Sequence, residues 1–341
     1  IELIQGENQL TRISITLAGG HYDRTQALIS GEVRPEGIDF NYIPLSVDEI
    51  FWRALRYKEF EAAEMSMAAY VINRSRGIDD FIAIPAFPSR MFRHSSIYVR
   101  AGGAVRGPED LRGARIGLPE YQMTMAVWVR GFLSSIHGVD PAGVTWFTGG
   151  VEETGRNERI ELRLPDKYKV VRADKPLSKM LITSEIDALV SAVMPRAFVE
   201  QTGEVERLFP DYRRVEIDYY RKTNILPIMH LVVIRKDVLE RFPWVATSLF
   251  KAYNRSTELA LRRMYNTDAL PYSLLWLPSY IEEERTVFGQ DLSRIWANGV
   301  EANRQCLETF IGYCEEQGLL EGKVSVSDLF PACLSEHYSF R

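Results

Sequence analysis

The sequence has little cysteine, no excess of positive charge and no long apolar run. Its three cysteines, Cys306, Cys314 and Cys333, lie near the C-terminus, and no Cys-x-x-Cys pair occurs. A zinc site built on thiolates is therefore not expected, and neither is a disulfide framework. The formal net charge of -5 gives no electrostatic footprint for nucleic acid or an acidic membrane, so neither is expected as a partner.

Signatures of several enzyme and membrane-protein classes are also missing. The chain contains no Gly-x-Gly-x-x-Gly, no Gly-x-x-x-x-Gly-Lys-Ser/Thr and no Gly-x-Ser-x-Gly. Dinucleotide, P-loop and serine-hydrolase chemistry therefore have no support. No apolar run is long enough for a membrane span, and "IELIQGENQLTR" does not have the pattern of an export signal. A cytoplasmic location is expected.

The composition is that of an ordinary globular protein, with 46% hydrophobic and 26% charged residues in 341. This length predicts about two domains. Apolar segments that read as strands ("RISITLA", "GIDFNYIPL", "DFIAIPAF") alternate with segments that read as helices ("DRTQALISG", "SVDEIFWRALRYKEF"). Asp23 with Gln26, and Ser46 with Glu49, have the spacing of a capping box at the start of each helix. The order predicts an α/β fold with a mostly parallel sheet.

A second cycle of strands and helices begins at "EDLRGARIGLPE", and an apolar strand, "PIMHLVVIRKDVL", returns near residue 227. The prediction is two lobes: 11–102 plus 228–341, and 105–222, with hinges near 100–105 and 222–228. The polar stretch 149–175 reads as a surface excursion. Ligands of open α/β sheets bind beyond the carboxyl ends of strands, so we expect a site in the cleft between the lobes.

Several segments together resemble the 4,5-dihydroxyphthalate decarboxylase family. They are "HYDRTQALISGEVRPEGIDFNYI", "EAAEMSMAAYV", "FPSRMFRHSSIYV", "LRGARIGLPEYQMTMAVWVRGFL", "WFTGG" and "PIMHLVVIR". The resemblance runs from about residue 12 to about 335, and "FPSRMFRHSSIYV" and "PEYQMT" are its most specific parts. It implies the type II periplasmic-binding-protein-like fold, with mixed sheets flanked by helices and a cleft between two lobes.

The resemblance also implies a carboxy-lyase of aromatic catabolism in phthalate degradation. The expected reaction converts 4,5-dihydroxyphthalate to protocatechuate and carbon dioxide without a cofactor. Such an enzyme must bind a dianion, protonate a ring carbon and stabilise charge on a phenolic oxygen. Arginine suits the first task because its planar fork binds carboxylates, and histidine suits proton transfer near neutral pH.

Candidate residues follow from these needs and from the motif positions. The predicted catalytic residues are His94, Glu120 and His230. The predicted substrate-binding residues are Arg90, Arg93, His21, Arg24, Ser66, Tyr121, Gln122 and Thr124.

Each role has a local reason. His94 is expected to open the strand "HSSIYV" and to share a face with Ser96 and Tyr98, as proton donor or phenolate partner. Glu120 precedes a long helix and would be either a base for a phenolic hydroxyl or an acid that favours the helix dipole. The residues after it would offer an anion seat beside free backbone N–H groups. His230 is expected near the hinge.

Other hypotheses stay open at this point. The same fold serves solute receptors, so a binding protein for a small aromatic carboxylate or related anion is the main alternative. A cytoplasmic enzyme that acts on another hydroxylated aromatic carboxylate is a third. A metal held by His21, His94, His230, Glu64 and Glu120 ranks below cofactor-free catalysis, because no local ligand spacing supports it. The helical C-terminal region could also pack on a second copy of the chain.

Overall fold

The computed structural model describes residues 12–266 and 268–335. The strands of this part are β1 (Ile13–Gly19), β2 (Ile38–Pro44), β3 (Ala62–Ser66), β4 (Phe81–Arg90), β5 (Ile97–Arg100), β6 (Arg115–Leu118), β7 (Thr145–Thr148), β8 (Lys169–Arg172), β9 (Ala188–Val190), β10 (Val205–Arg207) and β11 (Ile228–Arg235). The helices are α1 (Asp23–Ile29), α2 (Val47–Tyr57), α3 (Met67–Ser75), α4 (Thr124–His137), α5 (Leu177–Ile182), α6 (Arg196–Val199), α7 (Tyr212–Thr223), α8 (Lys236–Arg241), α9 (Val245–Tyr265), α10 (Leu277–Phe288), α11 (Arg304–Glu316) and α12 (Ala332–Ser335).

The first sheet has the order β2-β1-β3-β11-β4. Strand β1 runs parallel to β2 and β3, whereas β11 runs antiparallel to both β3 and β4. Consecutive residues of β1 point to opposite faces, and Leu17 and Ala18 are both fully buried. Burial on both faces explains why this strand reads as an apolar run without alternation.

The second sheet has the order β10-β5-β9-β6-β7-β8. Its last strand, β8, lies inside the segment 149–175 that the sequence indicated as a surface excursion. The strand pairs in parallel with β7, and most of its side chains are exposed or half-buried. Because an edge strand on a solvated surface needs few apolar residues, its sequence carries little strand signal.

The chain crosses between the sheets earlier than the sequence predicted. Strand β4 ends at Arg90 in the first sheet, and β5 begins at Ile97 in the second, where it pairs with β9 and β10. The first crossing is therefore 91–96 and not 100–105. The second crossing lies between α7 and β11, residues 224–227. The limits of the two predicted lobes otherwise stay predictions.

Two packed faces enclose the first sheet. Helices α1 and α9 cover one face through residues such as Leu28 and Leu249, and α2 and α3 cover the other through residues such as Phe51 and Val71. Helix α11 packs on α4, with the ring of Phe310 at 5.2 Å from that of Trp128. The predicted α/β architecture with mixed sheets is confirmed. None of the described helices is both long and apolar enough to cross a bilayer.

Two local predictions were wrong. Residues His94–Ser96 form a short 3-10 turn in which the Ser96 N–H donates to the Arg93 carbonyl at 3.1 Å, so the strand begins only at Ile97. His94 therefore does not share a strand face with Tyr98. At the start of α1, the hydroxyl of Thr25 accepts from the Tyr22 N–H at 3.0 Å, so the helix cap does not involve the predicted Asp23–Gln26 pair.

Candidate active site

The candidate site forms where strands β1 and β3 of the first sheet end and strand β11 begins. The carboxyl ends of β1 and β3 lie at the same edge because the strands are parallel, and antiparallel β11 begins there. The register pairs His230 with Ser66. The turn after β1, the end of β3 and the start of β11 are thereby brought together, although they are far apart in sequence.

Glu64 is the buried centre of this edge, with 1% of its surface exposed. Its Oε1 accepts from the Tyr22 hydroxyl at 2.8 Å and pairs with His230 Nδ1 at 2.6 Å, while Oε2 accepts from the Gly20 N–H at 2.7 Å. Burial alone would raise the pKa of Glu64, but the hydrogen bond and charge of His230, with the other donors, lower it below its usual value. The carboxylate is therefore ionised at neutral pH.

His230 is held by this carboxylate and stays partly accessible. The ionised Glu64 accepts a hydrogen bond from Nδ1–H, and the Phe51 ring makes an edge-to-face contact with the imidazole, with centroids 5.0 Å apart. Its side chain is 15% exposed. Among the described residues, no hydrogen bond occupies Nε2. With Nδ1 fixed as a donor, Nε2 is the nitrogen that can exchange a proton with a ligand.

Ser66 and Thr124 join the two halves of the site. Thr124 begins α4, after a strand of the second sheet. Its Oγ1 lies 2.9 Å from Ser66 Oγ and accepts a hydrogen bond from the Ala68 N–H at 3.0 Å. Both hydroxyls are buried. These two predicted residues are therefore brought together, directly beside the strand end that carries Glu64.

Glu120 is a charge partner of two arginines. Its side chain is buried, and its Oε1 accepts from Arg156 Nε at 3.0 Å and Nη2 at 2.7 Å. The Arg159 N–H donates to Oε2 at 3.3 Å. Both arginines also contact Asp48, in the first turn of α2. Glu120 could act as a base only if these ion pairs opened, so its position favours a role in holding segment 156–159 across the cleft.

The predicted anion seat after Glu120 is occupied by the protein itself. The Tyr121 N–H donates to Glu158 Oε1 at 2.7 Å, and Gln122 Nε2 donates to the Ile160 carbonyl at 2.8 Å. Tyr121 is fully buried beneath the guanidinium of Arg130. Burial raises the pKa of Glu158 to about 7. Tyr121 and Gln122 thus anchor the polar excursion and do not form a free anion site.

The predicted arginines have mostly internal partners. Arg90 Nη2 donates to the Ala297 carbonyl at 2.8 Å and to Asn303 Oδ1 at 2.7 Å. Arg24 bonds the Pro88 carbonyl through two nitrogens and stacks 3.9 Å from the centre of the Trp296 ring. The Arg93 Nε–H donates a hydrogen bond to the sulfur of Met229 at 3.2 Å. Burial lowers the pKa of both Arg90 and Arg93 to about 10.

The side chains of the other two predicted histidines are not hydrogen-bonded to Glu64, and each has other neighbours among the described residues. His94 is 2% exposed and stacks on Phe132 with centroids 4.1 Å apart. Its Nδ1 lies 3.8 Å from a Glu216 oxygen and makes no hydrogen bond to any described residue. Burial lowers its pKa to about 4. His21 is exposed, and its Nε2 pairs with Gln26 Oε1 at 2.9 Å.

One curated protein matches nearly the whole chain, and a second matches almost two thirds of it. A 4,5-dihydroxyphthalate decarboxylase from Comamonas testosteroni is 35% identical over 328 residues, which cover 95% of this chain and 98% of that protein. The chain belongs to the 4,5-dihydroxyphthalate decarboxylase family. A second member, from Pseudomonas putida, is 40% identical over 214 residues, 62% of this chain and 83% of that protein. No protein-family model matches the chain. The predictions of this family and of a carboxy-lyase are confirmed.

Comparison with solved structures shows that this chain has the predicted fold. The sulfonate-binding protein SsuA from Methylobacillus flagellatus superposes with a TM-score of 0.55 at 14% identity and covers 95% of this chain and 93% of its own. SsuA from Escherichia coli gives 0.53 at 10% identity, with 95% and 99% covered. At these identities the likeness shows the fold alone, and the periplasmic-binding-protein-like prediction is confirmed.

Some residues of the candidate site were missed by the sequence analysis. Glu64 was considered only as a metal ligand, yet an acid inside the fully buried strand "AAEMS" is itself a signal, since buried carboxylates need dedicated partners. Tyr22, Arg156 and Arg159 carried no comparable signal. Within residues 12–266 and 268–335, no group of three or more His, Cys, Asp or Glu side chains is placed to hold a metal.

Proposed function

We propose that this protein converts 4,5-dihydroxyphthalate to protocatechuate and carbon dioxide without a cofactor, with His230 as the proton donor. The observation that carries the proposal is the ionised, buried Glu64 that holds Nδ1 of a partly exposed histidine at 2.6 Å. The names of the family members, 4,5-dihydroxyphthalate decarboxylase, support the choice of substrate.

The reaction needs only a proton and a stabilised ring. A ring carbon that bears a carboxylate takes a proton, while the hydroxyl para to it gives its proton to solvent, and a dienone forms. The carbon–carboxylate bond then breaks, carbon dioxide leaves, and its bonding electrons restore the aromatic ring as a phenolate, which regains a proton from solvent. The net reaction consumes one proton per turnover, which the imidazole regains from solvent. General acid catalysis of this kind contributes roughly 10²–10⁴ in rate.

The residues around His230 have separate roles in this proposal. The imidazole delivers the proton through Nε2, and Glu64 fixes the tautomer and balances the positive charge of the protonated ring. The hydroxyls of Ser66 and Thr124 are hydrogen-bonding groups beside it. A positioned donor that stabilises charge on a phenolic oxygen is worth about 3–4 kcal/mol.

A cation for the substrate carboxylates is available on segment 156–159. The guanidinium of Arg159 lies 5.3 Å from the centre of the Phe51 ring, whose edge packs on His230. In the structure Arg159 pairs with the carboxylates of Glu120 and Asp48. A substrate carboxylate is the same chemical group and suits the same guanidinium. We therefore add Arg159 to the proposed binders. Arg93 and Arg24 stay predictions, and Arg90 is the weakest because its fork is used within the protein.

A direct assay tests the proposal. Purified protein is incubated with 4,5-dihydroxyphthalate, and carbon dioxide and protocatechuate are measured before and after dialysis against a chelator. We expect stoichiometric product in both cases, and none from phthalate, which lacks the para hydroxyl. Tight binding of the dihydroxy compound without product would favour a receptor, and loss of turnover on dialysis would show a metal requirement.

A further inference from the structure

A cavity of about 560 Å³ lies on the flank of the first sheet, between α2 and α3. Residues of segment 159–163 and Glu321 form another part of its lining. Its lining includes Trp52, Arg56, Asn73, Arg76, Asp80 and Glu161. Neither Glu64 nor His230 lines it, but Phe51, which packs on His230, and Arg159 form a wall that it shares with the candidate active site.

The charges in the cavity do not cancel. Two of its acids pair internally, since Glu321 contacts both Arg76 and Arg163, and Glu161 contacts Arg163. The third acid, Asp80, pairs with Lys58 at 2.6 Å. These pairs leave one cation of α2 without a partner.

That cation is Arg56. Within the described part of the chain it has no carboxylate at ion-pair distance, and its guanidinium lies 5.3 Å from the centre of the Trp52 ring. Trp52 is 50% exposed, although it is a large apolar side chain at the rim of a concave surface. The indole and the unpaired guanidinium lie one helical turn apart and in contact, and together they suit a flat ring that carries a carboxylate.

We propose that this cavity is a second binding site, for an aromatic monocarboxylate. Its volume falls within the range of roughly 300–1,000 Å³ that is usual for small-molecule sites. One uncompensated guanidinium matches one carboxylate, and the aromatic wall matches the ring. The proposal rests on the proposed function only for the choice of probe, because the expected product, a dihydroxybenzoate, is such a compound.

The position of the cavity connects it to the active site. A ligand in it would contact α2 and α3 of the first sheet and also segment 159–163. The same segment accepts a hydrogen bond from Gln122 at the Ile160 carbonyl, and Arg159 contacts Glu120. Occupancy would therefore hold the segment closed against the cleft.

Calorimetric titration with 3,4-dihydroxybenzoate tests the site. We expect two binding events in the wild type, one at each site. Arg56→Glu should weaken one event by about tenfold or more, because it replaces attraction of the carboxylate by repulsion. Arg221→Glu, at an exposed position of α7 outside the cavity, is the matched control and should keep both events. Asn73→Trp should remove the same event as Arg56→Glu by filling the cavity.

Three results would overturn the proposal. They are a single binding event in the wild type, two unchanged events in Arg56→Glu, and equal binding of catechol, which has the ring but no carboxylate. Melting temperatures confirm that each variant is folded. The titration does not depend on turnover, so an inactive protein with two binding events would contradict the proposed function and leave the second site in place.

Discussion

Two histidines of this protein, His230 and His94, were both expected to be catalytic, and the fold gives them opposite surroundings. His230 meets the buried carboxylate of Glu64 at 2.6 Å and keeps an accessible edge. His94 is enclosed by Phe132, Phe209 and Tyr219, and its Nδ1 makes no hydrogen bond within the described residues, although a Glu216 oxygen lies 3.8 Å away. The first environment prepares an imidazole to exchange a proton, and the second keeps it neutral.

A histidine that stands beside arginines in sequence need not contact them in space. Arg93 directs its Nε to a methionine sulfur, and Arg90 is bound to a carbonyl and an asparagine. The neighbours of the His94 ring are three aromatic side chains and Glu216. The catalytic role of His94 stays a prediction, and the variants below separate it from a packing role.

The largest effect is expected at the His230 pair. Glu64→Gln and His230→Ala should each lower kcat by roughly 10²–10⁴ with a much smaller change in KM, because the proton donor or its orienting partner is lost. Steady-state release of product measures this. The control is His137→Ala, whose imidazole pairs with Glu109 on the surface. Activity close to wild type in both pair variants would remove His230 from the mechanism.

The second prediction concerns packing around His94. His94→Ala should lower the free energy of unfolding by about 3 kcal/mol, as expected when a buried ring is deleted from an aromatic cluster. His94→Phe keeps a ring of similar shape and should restore most of the stability. Denaturant unfolding measures both variants. If His94→Phe is stable but loses turnover as completely as His230→Ala, the comparison between the two histidines is wrong and His94 is catalytic.

The third prediction uses pH. Burial holds the pKa of His94 at about 4, below its ordinary 6.5 in the unfolded chain. Between these values the unfolded state binds more protons, so stability falls as pH decreases from 6.5 to 4, by up to about 3 kcal/mol. His94→Phe should lack this loss.

Glu216, which faces His94, changes the free energy of unfolding with pH in the opposite direction. The quantity to measure is therefore the difference in unfolding free energy between wild type and His94→Phe. Burial raises the pKa of Glu216 to about 7 from 4.5, and this carboxyl stabilises the fold below the lower value and loses that contribution as pH rises through 7. Glu216 is present in both proteins. A pH-independent difference between their unfolding free energies would show that His94 titrates normally.

The smallest effect is expected at the contact between the two sheets. Thr124→Val keeps the shape of the side chain but removes the hydroxyl that bonds Ser66 and the Ala68 N–H. A loss of about 1–2 kcal/mol in unfolding free energy is expected, since the Ala68 N–H loses its acceptor. Thermal or chemical unfolding measures it, with Thr183→Val, an exposed hydroxyl at the end of α5, as control. Equal effects of the two changes would show that the contact contributes nothing specific.

Parts of the site could be predicted because strand ends are readable from sequence. Ser66 ends the apolar strand β3 just before a helix. Thr124 begins α4, a short turn after strand β6 of the second sheet. Both residues were therefore placed in the cleft. His230 was placed there through the expected return of the chain near residue 227. The misplacement of His94 came from a 3-10 turn, whose hydrogen bonds leave little trace in three residues.

By itself, the sequence determined the order of strands and helices, the α/β class and the family, because apolar periodicity and segment similarity are local properties of the chain. Only the tertiary structure decided which histidine meets a carboxylate. Glu64 and His230 are 166 positions apart and become neighbours through the antiparallel register of β3 and β11. The protonation of a side chain depends on burial and on partners brought in from elsewhere in the chain, and neither is written in its neighbouring residues.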